Sequence, residues 1–286
     1  MPATSPRIVV LTRDHAPHVK QAWEQLQPAL APFSGVQVIT VEYGEELDFT
    51  KLEADLVVVL GGDGTILRTC RQMALRQLPI LGVNVGRLGF LADLSPQEFV
   101  AHLPDLARGD YRIVKHLMYE CTLFQTDGPS ETHLGLNEVA VSAGAAFRLI
   151  DVELAIDNEP VTTYSGDGLI VSTPIGSTAH SLSAGGPILR QDLQAFVITP
   201  ICPHTLTIRP VVDRADRIYS LGVPNIPSGV TLVIDGQIQL SLKSGDRIEV
   251  RRASVCFQLA KVRGHSDYGT LHRKLGWTGQ PRYRLP

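Results

Sequence analysis

The chain has 286 residues, 44% of them hydrophobic and 19% charged, with a formal net charge of -3. That length allows two domains or one large one, and the even mixing of charges leaves no polybasic stretch for nucleic acid and no acidic tail. Four scattered cysteines (Cys70, Cys121, Cys202, Cys256) without a C-x-x-C pair read as buried thiols in a reducing compartment, and no segment has membrane-spanning length or the form of a signal peptide, so a soluble cytoplasmic protein is expected.

Ile8-Val9-Val10-Leu11 reads as a strand, and Val19 to Leu30 as an amphipathic helix that stops near Pro32. Val36 to Val41 is a second strand. Leu56-Val57-Val58-Val59-Leu60 is a third, a β-branched run of the kind buried in parallel sheets. It ends at Gly61-Gly62-Asp63-Gly64-Thr65, after which Ile66, Leu67, Cys70, Met73 and Ala74 recur at helical spacing, so a helix is expected after Thr65. Pro79 to Asn84 is a fourth strand, closed by a second glycine turn, Gly86-Arg87-Leu88-Gly89-Phe90, and Pro96 to Leu106 is another helix. This alternation predicts a doubly wound parallel sheet, whose ligands gather beyond the C-terminal strand ends, where both glycine turns fall.

Near Tyr111 the texture changes. Short alternating runs follow at Glu120–Phe124, Glu138–Val141, Asp151–Ile156, Leu169–Ser172, Ala195–Thr199, Thr231–Ile234, Arg247–Val250 and Val255–Ala260. Turn signals separate them, among them Asp127-Gly128-Pro129, Asp157-Asn158, Asp235-Gly236 and Ser244-Gly245-Asp246, which marks an antiparallel β-rich domain. Thr270 to Trp277 reads as helical again and is expected to pack back on the first domain. The fold class is therefore an N-terminal α/β doubly wound domain (1–111) plus a β-rich antiparallel domain (112–264), with a C-terminal segment (265–286).

A strand, a glycine turn and a helix N-terminus make an anion site, because backbone N–H groups point outward and glycines let a phosphate come close. Gly61, Gly62, Gly64 and Thr65 are the phosphate candidates. Asp63 would repel a bare phosphate there, so it reads as a magnesium-linked carboxylate or as a base that takes a proton from an attacking hydroxyl. A helix-capping Asp63 is the alternative. A second concentration of chemistry runs from Tyr164 to Pro187, where Gly166-Asp167-Gly168 and a serine-, threonine- and glycine-rich stretch bracket a buried strand. Small hydroxyl residues and glycines suit close contact with a nucleotide base or sugar. Asn137-Glu138 at a strand entrance matches a ribose diol, the carboxylate taking hydroxyl hydrogens and the amide giving and receiving. Arg68, Arg148 and Gln237 are, taken singly, ordinary surface residues, and His204 reads as structural. The chain lacks a G-x-G-x-x-G turn behind a strand, a P-loop, an H-E-x-x-H helix and a G-x-S-x-G elbow.

In order and spacing, Gly61–Thr65, Asn137-Glu138, Gly166–Gly168 and Gly176–Gly186 resemble the motifs of the NAD kinase family. So do Cys202-Pro203-His204-Thr205 with Arg209-Pro210, Asp235-Gly236-Gln237 and Leu271–Trp277. The resemblance runs from about Asp55 to Trp277, and Gly176-Ser177-Thr178-Ala179 with Leu182–Pro187 is its most specific part. It implies transfer of the ATP γ-phosphoryl group to the 2′-hydroxyl of the adenosine ribose of NAD, with an active site between two domains. It also implies a divalent metal, most simply Mg2+, and a homodimer or homotetramer; polyphosphate as donor stays open.

Asp63 is then the catalytic base. Asp63, Gly64, Arg68, Asn137, Glu138, Arg148, Ser165, Asp167, Thr178, Ala179, His180, Ser181, Leu182, Ser183 and Gln237 would contact NAD, and Phe90 is either a stacking surface at the second glycine turn or a core residue. Two positions depart from the family: His180 stands where Tyr is common, and Ser165 where some relatives have Arg. No nucleic-acid or membrane partner is expected. A lipid or sugar kinase of the same superfamily, or a non-catalytic NAD(P)-binding sensor, is the competing expectation.

Overall fold

The computed structural model describes residues 6–12, 17–32, 39–41, 47–86, 89–144, 149–264 and 267–276. In chain order the elements begin with β1 (Ile8–Thr12), α1 (Pro17–Leu30), β2 (Ile39–Val41), β3 (Leu56–Leu60), α2 (Asp63–Gln72), β4 (Ile80–Val83) and α3 (Pro96–Ala107). Then come β5 (Arg112–Phe124), β6 (Glu131–Gly135), β7 (Glu138–Ser142), β8 (Ile150–Ile156), β9 (Glu159–Gly166), β10 (Gly168–Ser172), the single-turn α4 (His180–Ser183) and β11 (Ala195–Ile201). The last are β12 (Val211–Arg214), β13 (Tyr219–Gly222), β14 (Thr231–Ile234), β15 (Ile238–Ser241), β16 (Arg247–Lys261) and α5 (Asp267–Leu275). Residues 36–38 of the expected second strand, and Trp277 at the end of the expected last helix, lie outside the described residues.

The chain divides into two compact units, one formed by residues up to Val114 together with those from Gln258 onward, the other by Lys115–Phe257. In the first, β2, β1, β3 and β4 lie side by side in parallel, and the end of β16 joins β4 at Leu259 and Ile80. Successive side chains of a strand point to opposite faces. Accordingly Ile8, Val10, Leu56, Val58, Leu60, Leu81 and Val83 meet Leu26 and Leu30 of α1 and Phe99, Leu103 and Leu106 of α3. On the other face Gly82 lies against α2, where a Cβ would come within 2.7 Å of Ile66 Cδ1. Helices cover both faces, as doubly wound sheets require. α3 starts at a capping box, with Ser95 and Glu98 each bonding the other's backbone N–H and Pro96 at the first helical position.

The second unit is a two-layer antiparallel sandwich. One layer runs β12-β11-β10-β7-β14-β15. The other holds the first part of β16 with β13, β8 and β9, and the β5–β6 hairpin. Val139, Val141, Leu169, Val171, Phe196 and Ile198 face Val152, Leu154, Tyr219, Leu221 and Ile248 across the core. Phe196 and Tyr219 meet edge to face at 5.4 Å. The turns expected at Asp157-Asn158 and Asp235-Gly236 both have paired positive φ angles (50° and 67°, 48° and 64°); the first closes a two-residue hairpin loop between Ile156 and Glu159, the second lies in a three-residue loop between Ile234 and Ile238. Because Val139 and Val141 point inward, Glu138 projects from the opposite face of β7.

Three expectations are corrected. α2 begins at Asp63 rather than after Thr65, and it ends at Gln72, with Ala74 at φ +47° outside it. The runs Arg247–Val250 and Val255–Ala260 form one strand, β16. Buried positions switch from even (Ile248, Val250) to odd (Ala253, Phe257, Leu259) across the exposed pair Arg251-Arg252, so alternation breaks where no turn residue intervenes. Cys70 and Cys121 are buried thiols, but Cys202 is exposed and Cys256 partly so. Among the described residues no helix is long and apolar enough to cross a membrane.

Candidate active site

In the first unit the chemistry centres on Asp63. Gly62 is the N-cap of α2 and provides no side chain for capping, so Asp63 is the first helical residue and does not cap its own helix. Its carboxylate reaches instead to the loop after β4. That loop folds back through Asn84 N–H to Leu94 O at 2.7 Å, and Gly61 N–H bonds Val83 O at 2.9 Å. The folding brings three backbone N–H groups onto one carboxylate: Phe90 donates to Oδ2 at 2.7 Å, and Leu91 and Ala92 both donate to Oδ1 at 3.0 Å. A Cβ on residue 89 would sit 2.0 Å from Oδ1, so only glycine leaves room for this arrangement. A carboxylate has about four acceptor directions. Oδ1 uses both of its own and Oδ2 uses one, which leaves Oδ2 with capacity to accept a further hydrogen.

The turn around it is built for close approach. A Cβ on Gly61 would come 2.7 Å from Thr65 Oγ1, whereas one on Gly62 would meet nothing within 4 Å. Gly61 is thus a packing requirement and Gly62 faces open space at the positive end of α2, where an anion is favoured. Arg68 is exposed one turn along α2, and Gly64 is exposed at its start. Phe90 is half-buried, with the Lys274 ammonium of α5 3.9 Å from its ring centroid.

In the second unit Glu138 is the corresponding group. It is 6% exposed, its Oε2 has no hydrogen-bond partner, and the backbone N–H of His180 bonds the carboxylate. Burial, reinforced by the charge of Asp235, pushes its pKa up to about 8, against the lowering by the His180 N–H. Asp235 fixes the strand entrance: its buried carboxylate accepts from the backbone of Leu136, Asn137 and Glu138 and from the Tyr119 hydroxyl at 2.8 Å. The serine- and threonine-rich stretch docks on the same turn. Thr173 N–H bonds Asn137 O at 2.9 Å, Thr173 Oγ1 bonds Leu136 O, and a Cβ on Gly176 would lie 2.2 Å from Asn137 O. Asn137-Glu138 and Gly176–His180 are therefore one substructure.

The remaining candidates divide by exposure. Asp167, His180, Ser183 and Gln237 are exposed, and Asn137, Ser165, Thr178, Ala179 and Leu182 are partly so. Ser181 is buried, and its hydroxyl pairs with Thr199 Oγ1 at 2.9 Å, so it holds α4 to β11 rather than presenting a free group. Ser165 donates to Asp151 on the neighbouring strand. Cys202 bonds the Asp167 carboxylate, which raises the thiol pKa, and Gly166 lets the Cys202 backbone approach. His204 is exposed, its N–H on Ser165 O at 3.0 Å. Arg148, with Arg87 and Leu88 of the second glycine turn, lies outside the described residues. Sequence reasoning named Gly89 only as part of the second glycine turn, Lys274 only within the Leu271–Trp277 segment and Asp235 only within the Asp235-Gly236-Gln237 turn motif, and gave none of the three a role of its own. A Gly-x-x-Gly turn after β4 was the one available signal for Gly89, and nothing local marked Lys274.

The family model of the ATP-NAD kinase N-terminal domain matches residues 13–111, and that of the ATP-NAD kinase C-terminal domain residues 136–262. The chain is 49% identical over 275 residues to an NAD kinase of Rhodopirellula baltica, covering 96% of this chain and 88% of that one. It is 41% identical to an NAD kinase of Geotalea daltonii over 84% of both chains. Among solved structures it is similar to a yeast NADH kinase complexed with NADH (TM-score 0.89, 26% identity, 100% of this chain and 91% of that one). It is also similar to an NAD kinase from Archaeoglobus fulgidus in complex with ATP (TM-score 0.75, 28% identity, 94% and 97%).

Proposed function

The chain belongs to the NAD kinase family, and on that premise we propose that it moves the γ-phosphoryl group of ATP to the 2′-hydroxyl of the adenosine ribose of NAD. The observation that carries this reading is the Asp63 carboxylate, locked by three N–H donors yet with acceptor capacity left on Oδ2. A ribose hydroxyl is a weak nucleophile, and phosphoryl transfer depends chiefly on positioning and charge neutralisation. In the step proposed, the 2′-oxygen forms a bond to the γ-phosphorus, the bond from that phosphorus to the β,γ-bridging oxygen breaks, and ADP leaves. The 2′-hydroxyl proton passes to Asp63 Oδ2. Gly61, Gly62, Gly64 and Thr65 receive the phosphates at the start of α2. Asn137 and Glu138 hold a ribose, and Asp167, Thr178, Ala179 and Ser183 read base or amide edges. His180, Leu182, Arg68 and Gln237 complete the NAD contacts, while Ser165 and Ser181 act through the hydrogen bonds that fix their neighbours.

Magnesium fits as a passenger of the triphosphate. The described residues contain no group of three or more His, Cys, Asp or Glu side chains able to hold a metal. Mg2+ is commonly held by substrate phosphates with few protein ligands, and there it supplies neutralisation of the transferring charge. A cytoplasmic homo-oligomer completes the proposal. A sensor that only bound dinucleotide would gain nothing from a carboxylate held beside phosphates. A lipid kinase would have little use for the Asn137-Glu138 turn. The purified protein with NAD, ATP and Mg2+ should form NADP, and EDTA should abolish this. Bound NAD without NADP formation would favour the sensor.

Glu138 gives this reading a pH signature. Folding raises its pKa from 4.5 to about 8, so across that window the native state keeps a proton that the unfolded chain has released. Stability therefore falls as pH rises from about 4.5 to about 8. Ribose hydroxyls donate best to the ionised carboxylate, so NAD affinity should rise as pH approaches about 8, where the native carboxyl ionises. Glu138→Gln should flatten both slopes, as read by urea unfolding and calorimetric titration of NAD at several pH values. Unchanged slopes in the variant would remove Glu138 from the NAD site.

A further inference from the structure

We propose that Lys274 is a positioning residue for the phosphoryl transfer, its ammonium balancing the charge of Asp63 so that an anionic triphosphate can enter beside that carboxylate. The inference rests on Asp63 as the base. A carboxylate inside a phosphate turn otherwise repels the group the turn exists to bind.

α5 brings Lys274 Nζ to 3.9 Å from Asp63 Oδ2 and 3.9 Å from the centroid of the Phe90 ring. The separation from Oδ2 exceeds hydrogen-bond length. The ammonium therefore acts through its charge and leaves that oxygen able to accept a proton. It also faces the one oxygen with acceptor capacity left, since Leu91 and Ala92 fill Oδ1. The Phe90 ring orients the long side chain by a cation–π contact, and the Phe90 N–H binds the same Oδ2, so one residue positions both members of the pair. The Lys274 side chain is 30% exposed and that of Asp63 27%. Salt screens a pair at this depth less than one in open solvent. Burial lowers the Lys274 pKa and outweighs the raising by the Asp63 charge. Basic residues also fill the last turn of α5, where they suit the negative end of the helix. That accounts for His272 and Arg273 without accounting for the reach of Lys274 to another element.

The test compares Lys274→Met, Lys274→Arg and Asp63→Asn in the full-length protein, by steady-state kinetics with ATP and NAD and by calorimetric NAD binding. Methionine keeps the unbranched stem against Phe90 and removes only the charge. Lys274→Met should lower kcat/KM for ATP on the order of 10–10²-fold, with NAD affinity within about twofold and an unchanged melting temperature. Lys274→Arg keeps the charge and can lie on the same ring, so it should recover most of the loss. A Lys274→Met enzyme with ATP kinetics within about twofold of the parent, beside an inactive Asp63→Asn, would overturn this inference and leave the Asp63 reading intact. So would an arginine variant as impaired as the methionine one, or a loss explained wholly by a lowered melting temperature. Normal turnover by Asp63→Asn would instead sink the reading beneath it.

Discussion

Asp63→Asn is expected to lower kcat on the order of 10²–10⁴-fold, the range lost when a positioned base is removed. NAD binding should change only modestly. The asymmetry follows from what each atom does. In the native protein Oδ1 receives the Leu91 and Ala92 N–H groups at 3.0 Å, and Oδ2 receives Phe90 at 2.7 Å. An asparagine can turn its single oxygen toward the paired donors, which keeps the loop after β4 in place. Its amide nitrogen then faces the Phe90 N–H, donor against donor, and no atom remains to accept the ribose proton. The cost of the misplaced donor is about 1–3 kcal/mol, small enough for the variant to fold. Stopped-flow or coupled measurement of NADP formation, set beside calorimetric titration of NAD, separates the two effects. Near-normal turnover would show that the proton leaves by another route.

What the sequence displays and what it hides divide along contact distance. The run Leu56–Leu60 and its glycine turn are legible because both signals are local: β-branched residues in a row, then residues that permit a tight approach. The alternation at Glu138–Val141 is legible for the same reason. The partners that give Asp63 and Glu138 their character are not. Asp63 is held by N–H groups 27 to 29 residues on, and Asp235 organises a turn 97 to 99 residues before it. Backbone N–H groups have no sequence signature, and a lysine near the far end of the chain looks like any solvated charge. β9 shows a related limit. It lies at the edge of its layer and its first five residues are exposed, so Glu159-Pro160-Val161-Thr162-Thr163 carries no apolar alternation to detect. The start of α2 was displaced for a third reason. Glycines have low helix propensity, yet Gly64 lies inside the helix because the Asp63 contacts and the strand end fix the first turn.

The second large effect is expected at Asp235. Asp235→Ala should destabilise the second unit by about 3 kcal/mol or more, because several buried donors lose their acceptor at once and each such loss costs about 1–3 kcal/mol. The donors that lose it are the N–H groups of Leu136, Asn137 and Glu138, while the Tyr119 hydroxyl, inside the sandwich core, keeps the Glu138 carbonyl as an acceptor at 2.8 Å. Alanine adds a backbone penalty, since position 235 has φ +48°, a left-handed conformation that Asp and Asn adopt at lower cost than alanine. Urea unfolding of the variant measures the loss directly, and a stability equal to that of the parent would contradict it. Asp235→Asn is the sharper comparison. It keeps the turn and one acceptor oxygen, so its stability should fall between the two. It also removes the charge that helps burial hold the Glu138 pKa near 8. The Glu138 carboxyl should then ionise at lower pH, and the rise of NAD affinity with pH should move in the acid direction. A carboxylate that never touches the dinucleotide would in this way set the pH at which its neighbour binds sugar.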